Sequence, residues 1–294
     1  MKKTLTLLVG ILLVFSVSSW AQSCPGFKTF TQGGWSSTPS GNNPGTYLNL
    51  NFAAAFPAPN YLTIGCNNKL RLTSPTAVRA FLPNGTTPYA LPTGTLLNPT
   101  KNNYANVFAG QLVALALNLG FDNANASFAP AAGNLKDLVI ASGPFIGKTV
   151  QFLFDNANLK IGGCANAFNK TLSEYTTAID NVNKSYDNGT ANTGFLVCPL
   201  NVACSTNAVS CFGGNNGSMT VTTTGGKAPF TYSWSAAGIG NVASSSTLTA
   251  GSYTVTVTDA VGQVKSTTCT VTEPTQLVAS EIHINATCFQ VCDG

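Results

Sequence analysis

The residues able to do chemistry in this chain are few. Nine cysteines stand out: Cys24, Cys66, Cys164, Cys198, Cys204, Cys211, Cys269, Cys288 and Cys292. Their spacings contain no paired C-x₂-C knuckles, and the lone histidine, His283, offers little help to a zinc site. Disulfides are the expectation in an exported chain, and an odd count leaves at least one partner missing.

Ten carboxylates are the whole acidic supply. A glycoside hydrolase needs two of them across a sugar bond, and Asp122, Asp137, Asp155, Glu174, Asp180 and Asp187 are the N-terminal candidates. Most sit beside Asn or on helix faces, so no pair is named. The segment Gly143-Pro-Phe-Ile-Gly-Lys148-Thr149 imitates a phosphate loop but has three residues between its glycines where four are needed. It reads as a turn entering a helix cap. No G-x-S-x-G occurs, and His283 is remote from any nucleophile. Calcium is the one ion considered: Asp122-Asn-Ala-Asn and Asp180 to Gly189 are oxygen-rich, but Ala124 and Val182 fall at ligand positions. The expectation is no catalytic, cofactor-binding or metal residue, and no enzyme.

The elements that would position such groups belong to a chain of 294 residues, about two domains. Hydrophobic residues make up 44% and charged residues only 8%, far below the roughly 25% usual in soluble proteins. That excludes a disordered chain and the basic stripe of a nucleic-acid binder. Met1-Lys-Lys, the apolar run Leu5–Val17 and Ser19-Trp20-Ala21 form a signal peptide cleaved after Ala21. No other segment is expected to span a membrane; Val107–Leu119 reads as a core helix.

Between residues 22 and 197 an α+β domain of unknown activity is expected. Ser74-Pro75, Asn106 and the Thr171/Glu174 capping box start three helices, and the stripe Val150, Leu153, Phe154, Ala157 marks a fourth. Short strands are expected at Phe27–Thr31, Tyr61–Ile64, Lys69–Leu72 and Leu138–Ile140. A cysteine-containing linker (198–206) leads to an all-β unit at 207–276, where Met219/Val221, Phe230/Tyr232/Trp234 and Tyr253/Val255/Val257 alternate with polar residues. The shared parity places Tyr232 and Trp234 in a core rather than on a glycan platform. Seven residues from Cys211 to Gly217 are echoed at Cys288 to Gly294, so 277–294 reads as a linker and the start of a truncated second repeat.

Cys211-Phe-Gly-Gly-Asn-Asn-Gly-Ser, Gly225-Gly-Lys-Ala-Pro-Phe-Thr-Tyr-Ser-Trp and Ala250-Gly-Ser-Tyr-Thr-Val-Thr-Val-Thr-Asp-Ala resemble the SprB repeat of large Bacteroidetes surface proteins, a gliding adhesin among them. The resemblance implies an Ig-like sandwich, a secreted or outer-membrane-associated location and an adhesive role. Its partners would be extracellular glycans or surface proteins, and further repeats of the same chain. Relatives often carry Cys after the Asp-Ala-x-Gly turn, where this chain has Gln263; Cys269 is then the stand-in partner of Cys211. Phe30-Thr-Gln-Gly-Gly-Trp, Asn43-Pro-Gly and Phe81-Leu-Pro-Asn-Gly resemble an N-terminal region of other secreted Bacteroidetes proteins, which implies location only. The alternative function is a secreted carbohydrate-active enzyme with SprB-like accessory repeats.

Overall fold

A computed structural model describes residues 24–59, 61–190 and 192–282. The expected signal peptide with its site after Ala21, His283, and the echo at 288–294 lie outside the described residues.

The N-terminal part begins with α1 (Gln32–Trp35) and α2 (Pro44–Ala55). The hairpin β1 (Leu62–Gly65) and β2 (Lys69–Leu72) is antiparallel, and β3 (Thr95–Leu97) joins β2 in parallel after α3 (Pro75–Phe81). The caps act as their residue types dictate: Ser74 accepts from Ala77 N, Asn43 from Thr46 N and Thr149 from Phe152 N. Helix α4 (Val107–Ala124) is the axis of this part, with Phe108, Leu112, Leu115 and Phe121 fully buried. It runs four residues past Gly120, the expected terminator, because Phe56 packs where a Cβ at that position would stand. It is long and apolar enough to cross a membrane, but most of its side chains are buried within the protein. Helices α5 (Val150–Ile161) and α6 (Leu172–Ser185) complete the layer. The expected strand at Phe27–Thr31 forms only a bridge from Thr29 to Asp187, since the Phe30 N–H and C=O are taken by the Asn118 amide at 2.9 and 3.0 Å.

A two-stranded sheet, β4 (Val139–Ile140) with β5 (Leu196–Val197), hands the chain to the C-terminal part. There β6 (Asn201–Asn207), β7 (Gly217–Thr224) and β9 (Ser244–Leu248) form one sheet, in the order β6-β7-β9. The other has the order β11-β10-β8, from β8 (Thr231–Trp234), β10 (Gly251–Thr258) and β11 (Val264–Val271). Residues 201–206, expected within a linker, are thus a paired strand. Leu200, Val221, Val255 and Val257 share one buried cluster, Met219, Leu248, Tyr253 and Val271 another. Each cluster draws on both sheets, so the inward parity of the alternation is what holds them together. Phe230, Tyr232 and Trp234 pack half-buried against it. The opposite face of β10 and β11 carries a ladder of hydroxyl pairs: Ser252–Thr270, Thr254–Thr268 and Thr256–Ser266, at 3.1, 2.7 and 2.8 Å.

Candidate functional site

Among the described residues, six cysteines are brought together in three pairs: Cys24–Cys198, Cys66–Cys164 and Cys204–Cys269. The first joins the start of the N-terminal part to its exit. The second ties the β1–β2 turn to the segment after α5. The third is a correction: Cys269 bonds Cys204, and Cys211 is exposed and has no disulfide partner among the described residues. Strand register explains it. Strand β6 runs alongside β11, with Thr206 Oγ1 donating to Thr270 O at 3.1 Å, so Cys204 faces Cys269. Cys211 lies beyond the end of β6 in a turn closed by Gly214 N to Cys211 O. No local signal distinguishes the two; the choice depends on which strand borders β11.

Where the two parts meet, the turn after β10 is organised by Asp259, which is 5% exposed. Its Oδ1 accepts from Val261 N and Gln263 N at 3.0 and 2.7 Å. Its Oδ2 accepts from Lys227 N and Gln263 Nε2, each at 2.8 Å. The turn so fixed drives Val261 into a small cluster with Val139, Ala141 and Val197 of the N-terminal part. Lys227 Nζ donates to Ala141 O at 3.1 Å across the same seam, and Gly226 N reaches Cys198 O. Gln263, the residue in which this chain departs from the pattern it resembles, holds the backbone at Cys198 and Leu200. The Cys24–Cys198 disulfide lies at this seam, beside a cavity of about 280 Å³ lined by Phe27, Leu138 and Asp137. Apolar contact, hydrogen bonds to backbone carbonyls and a covalent tie converge at this junction.

The loop 143–149 is a tight turn. Gly143 and Gly147 have φ of +81° and +75°, Ile146 N and Lys148 N donate to Gly143 O and Phe145 O, and Phe145 is buried in the core. Thr149 caps α5, and the Lys148 ammonium sits over the Phe152 ring at 5.2 Å. The segment is spent on structure.

Among the carboxylates, Asp122 feels the charge of Asp137. Burial raises the Asp122 carboxyl above its usual range, opposed by the Leu135 N–H at 2.7 Å; Asp137 raises it further and Lys136 lowers it. Asp155 accepts from Gln151, and Asp180 from Gln111 with Lys184 alongside. Glu174 closes the capping box: hydrogen bonds from Thr171 N and its hydroxyl hold the carboxyl below its usual range. The two oxygen-rich runs therefore have Asp122 and Asp180 engaged by protein donors. No group of three or more His, Cys, Asp or Glu suited to a metal ion occurs among the described residues.

A two-sheet β unit stitched by a disulfide and docked on a disulfide-bonded neighbour is the build of proteins outside the reducing cytosol. Residues 204–238 match the family model of the SprB repeat, so the chain carries such a repeat. The match runs from the middle of β6 through β7 and β8. Repeat and disulfides together point to an extracellular or cell-surface protein. No curated protein and no solved structure matches the chain significantly.

Proposed function

We propose that this is an exported adhesive protein of a Bacteroidetes cell surface, associated with the outer membrane. In this reading the signal peptide is removed after Ala21, residues 22–197 form a head, and the repeat is an Ig-like sandwich followed by further copies. Contacts are made through surfaces, to glycans or proteins, and no catalytic group is used. The observation that carries the reading is the SprB repeat held against its neighbour through Val261, Lys227 and Gln263. A stiff joint transmits load from a bound head to the stalk instead of letting the head swivel, and tandem copies add reach.

Beads coated with the purified chain, flowed at rising shear over glycan-coated and protein-coated surfaces, test the proposal. Retention above that of beads coated with albumin is expected. Equal washout from every surface overturns it, and release of reducing sugar from a polysaccharide would replace it with the enzymatic alternative.

A further inference from the structure

The rings of the N-terminal part mostly pair with one another. Trp35, for instance, contacts Phe30, Phe121 and Phe128 at centroid distances of 4.9 to 6.1 Å. Tyr61 and Phe154 have no ring partner among the described residues, and both border the same open cavity of about 260 Å³. This cavity lies between the end of α2, the start of β1, the last turns of α4 and the first of α5. Phe56 shares the wall but is spoken for, packing on Phe52 and Phe121 at 5.2 and 5.7 Å.

Thr63, Asn123 and Gln151 line the same cavity. Gln151 donates through Nε2 to Asp155 Oδ1 at 2.8 Å, which fixes the amide and leaves its oxygen as an acceptor. Asn123 is exposed at the rim and supplies both a donor and an acceptor. None of the lining residues is charged. Tyr61 adds an observation of its own: its φ is +44°, in the left-handed region that a bulky side chain rarely adopts. Such strain is retained where the surrounding structure enforces it, and it clusters at ligand clamps.

We propose that this cavity is a carbohydrate subsite for one neutral pyranose ring. Apolar C–H faces of the sugar lie on the free rings of Tyr61 and Phe154, while Thr63, Asn123 and Gln151 exchange hydrogen bonds with its hydroxyls. An uncharged lining complements a neutral ring better than a uronate, whose carboxylate would meet no cation among the lining residues; Thr63, whose hydroxyl accepts from Arg71 Nε at 3.3 Å, also carries an O–H donor. The subsite rests on the adhesive reading and gives it a ligand class and a location.

Saturation-transfer NMR on the full chain with cellotetraose, xylotetraose, mannotetraose and maltotetraose tests it, with tetragalacturonate as the charged comparison. Transfer to at least one neutral sugar is expected, with affinity for the uronate at least tenfold weaker. Tyr61→Gly is the decisive variant. Glycine accepts φ +44° without strain, which offsets its entropy cost and the lost side-chain contacts, so its thermal midpoint should stay within a few degrees of the parent chain, while affinity falls at least tenfold. Phe154→Leu, which keeps apolar volume but removes the ring, should also lose affinity. No transfer to any neutral sugar, or undiminished transfer in Tyr61→Gly, overturns the subsite. The bead assay separates the two readings: adhesion undiminished by Tyr61→Gly leaves the adhesin standing without this site, whereas sugar binding without bead retention leaves the site and removes the adhesin.

Discussion

Gln263 and Leu200, 63 residues apart, are joined by a 2.9 Å hydrogen bond from the Leu200 N–H to the Gln263 Oε1. The bond ties the turn of the repeat to the strand entering it. Leu200 itself is buried in the repeat's core, so the side chain that plugs the core and the amide that fixes its backbone act on one residue. The carboxylate of Asp259 orients Gln263 in turn, through Nε2 at 2.8 Å. Docking of the repeat thus depends on a buried carboxylate that touches no residue of the N-terminal part by its own hydrogen bonds.

Removing that carboxylate should be costly. Asp259→Ala strands three backbone N–H groups and takes the 2.8 Å partner from Gln263 Nε2, and an unsatisfied buried donor costs about 1–3 kcal/mol. The expected outcome is a lowered urea midpoint for the repeat together with faster proteolysis near Cys198. Gln263→Ala should lose less, since Asp259 keeps its backbone donors. A midpoint unchanged in Asp259→Ala would show that the turn holds itself.

The covalent framework gives a second expectation. Peptide mapping without reduction should recover Cys204 linked to Cys269, and no peptide linking Cys211 to Cys269. The bond closes a loop of 65 residues, for which chain entropy predicts about 4 kcal/mol. A Cys204→Ser, Cys269→Ser double variant should therefore unfold at markedly lower urea, whereas Cys211→Ser should match the parent.

Two carboxylates should pull the acid limb of stability in opposite directions. Glu174 has a depressed folded value, so its contribution is present above the ordinary glutamate range and fades as pH falls through the lower folded value. Asp122 is raised by burial, so its ionisation costs stability as pH climbs from 3.8 through the higher folded value. Asp122→Asn keeps an oxygen for Leu135 N and should gain stability at neutral pH, a gain that vanishes below pH 3.8. Glu174→Gln should lose stability near pH 7 and converge with the parent in acid. Parallel pH curves for parent and variant would refute either assignment.

Much of the local structure could be read from the sequence because its causes are local. Ser74 before Pro75, and Thr171 three residues before Glu174, satisfy orphan N–H groups within one turn. The parity of Tyr253, Val255 and Val257 needs no partner to be seen. The same logic was available at Asn43-Pro44, where the cap of α2 lay inside a segment read only for its resemblance. What remained hidden is non-local. Cys269 chooses Cys204 because of strand order. Gly120 is interior to a helix because Phe56 arrives from 64 positions away. Tyr61 and Phe154 come to border one cavity only once β1 lies along α5.

The deepest non-local feature is Asn118, which no motif marks. Fully buried on α4, it accepts from Phe30 N and Trp35 Nε1 at 2.9 and 3.1 Å and donates to Phe30 O and Asn183 Oδ1, both at 3.0 Å. Asn183, also buried, donates onward to Gln111 O and its side-chain oxygen. One amide thus completes the hydrogen bonds of an N-terminal strand-like segment, an indole and a second helix, and a fully satisfied network of this kind fixes one arrangement. Asn118→Leu has nearly the same volume but leaves the Phe30 N–H, the Phe30 carbonyl and the indole N–H without partners. At about 1–3 kcal/mol for each such group, the variant should lose several kcal/mol, with Trp35 fluorescence reporting exposure at lower urea. Asn118→Asp should fail as badly, because it keeps the two acceptor contacts while setting an oxygen against Phe30 O and Asn183 Oδ1. If Asn118→Leu unfolds with the parent, apolar packing around Trp35 alone specifies the core, and the buried network is dispensable.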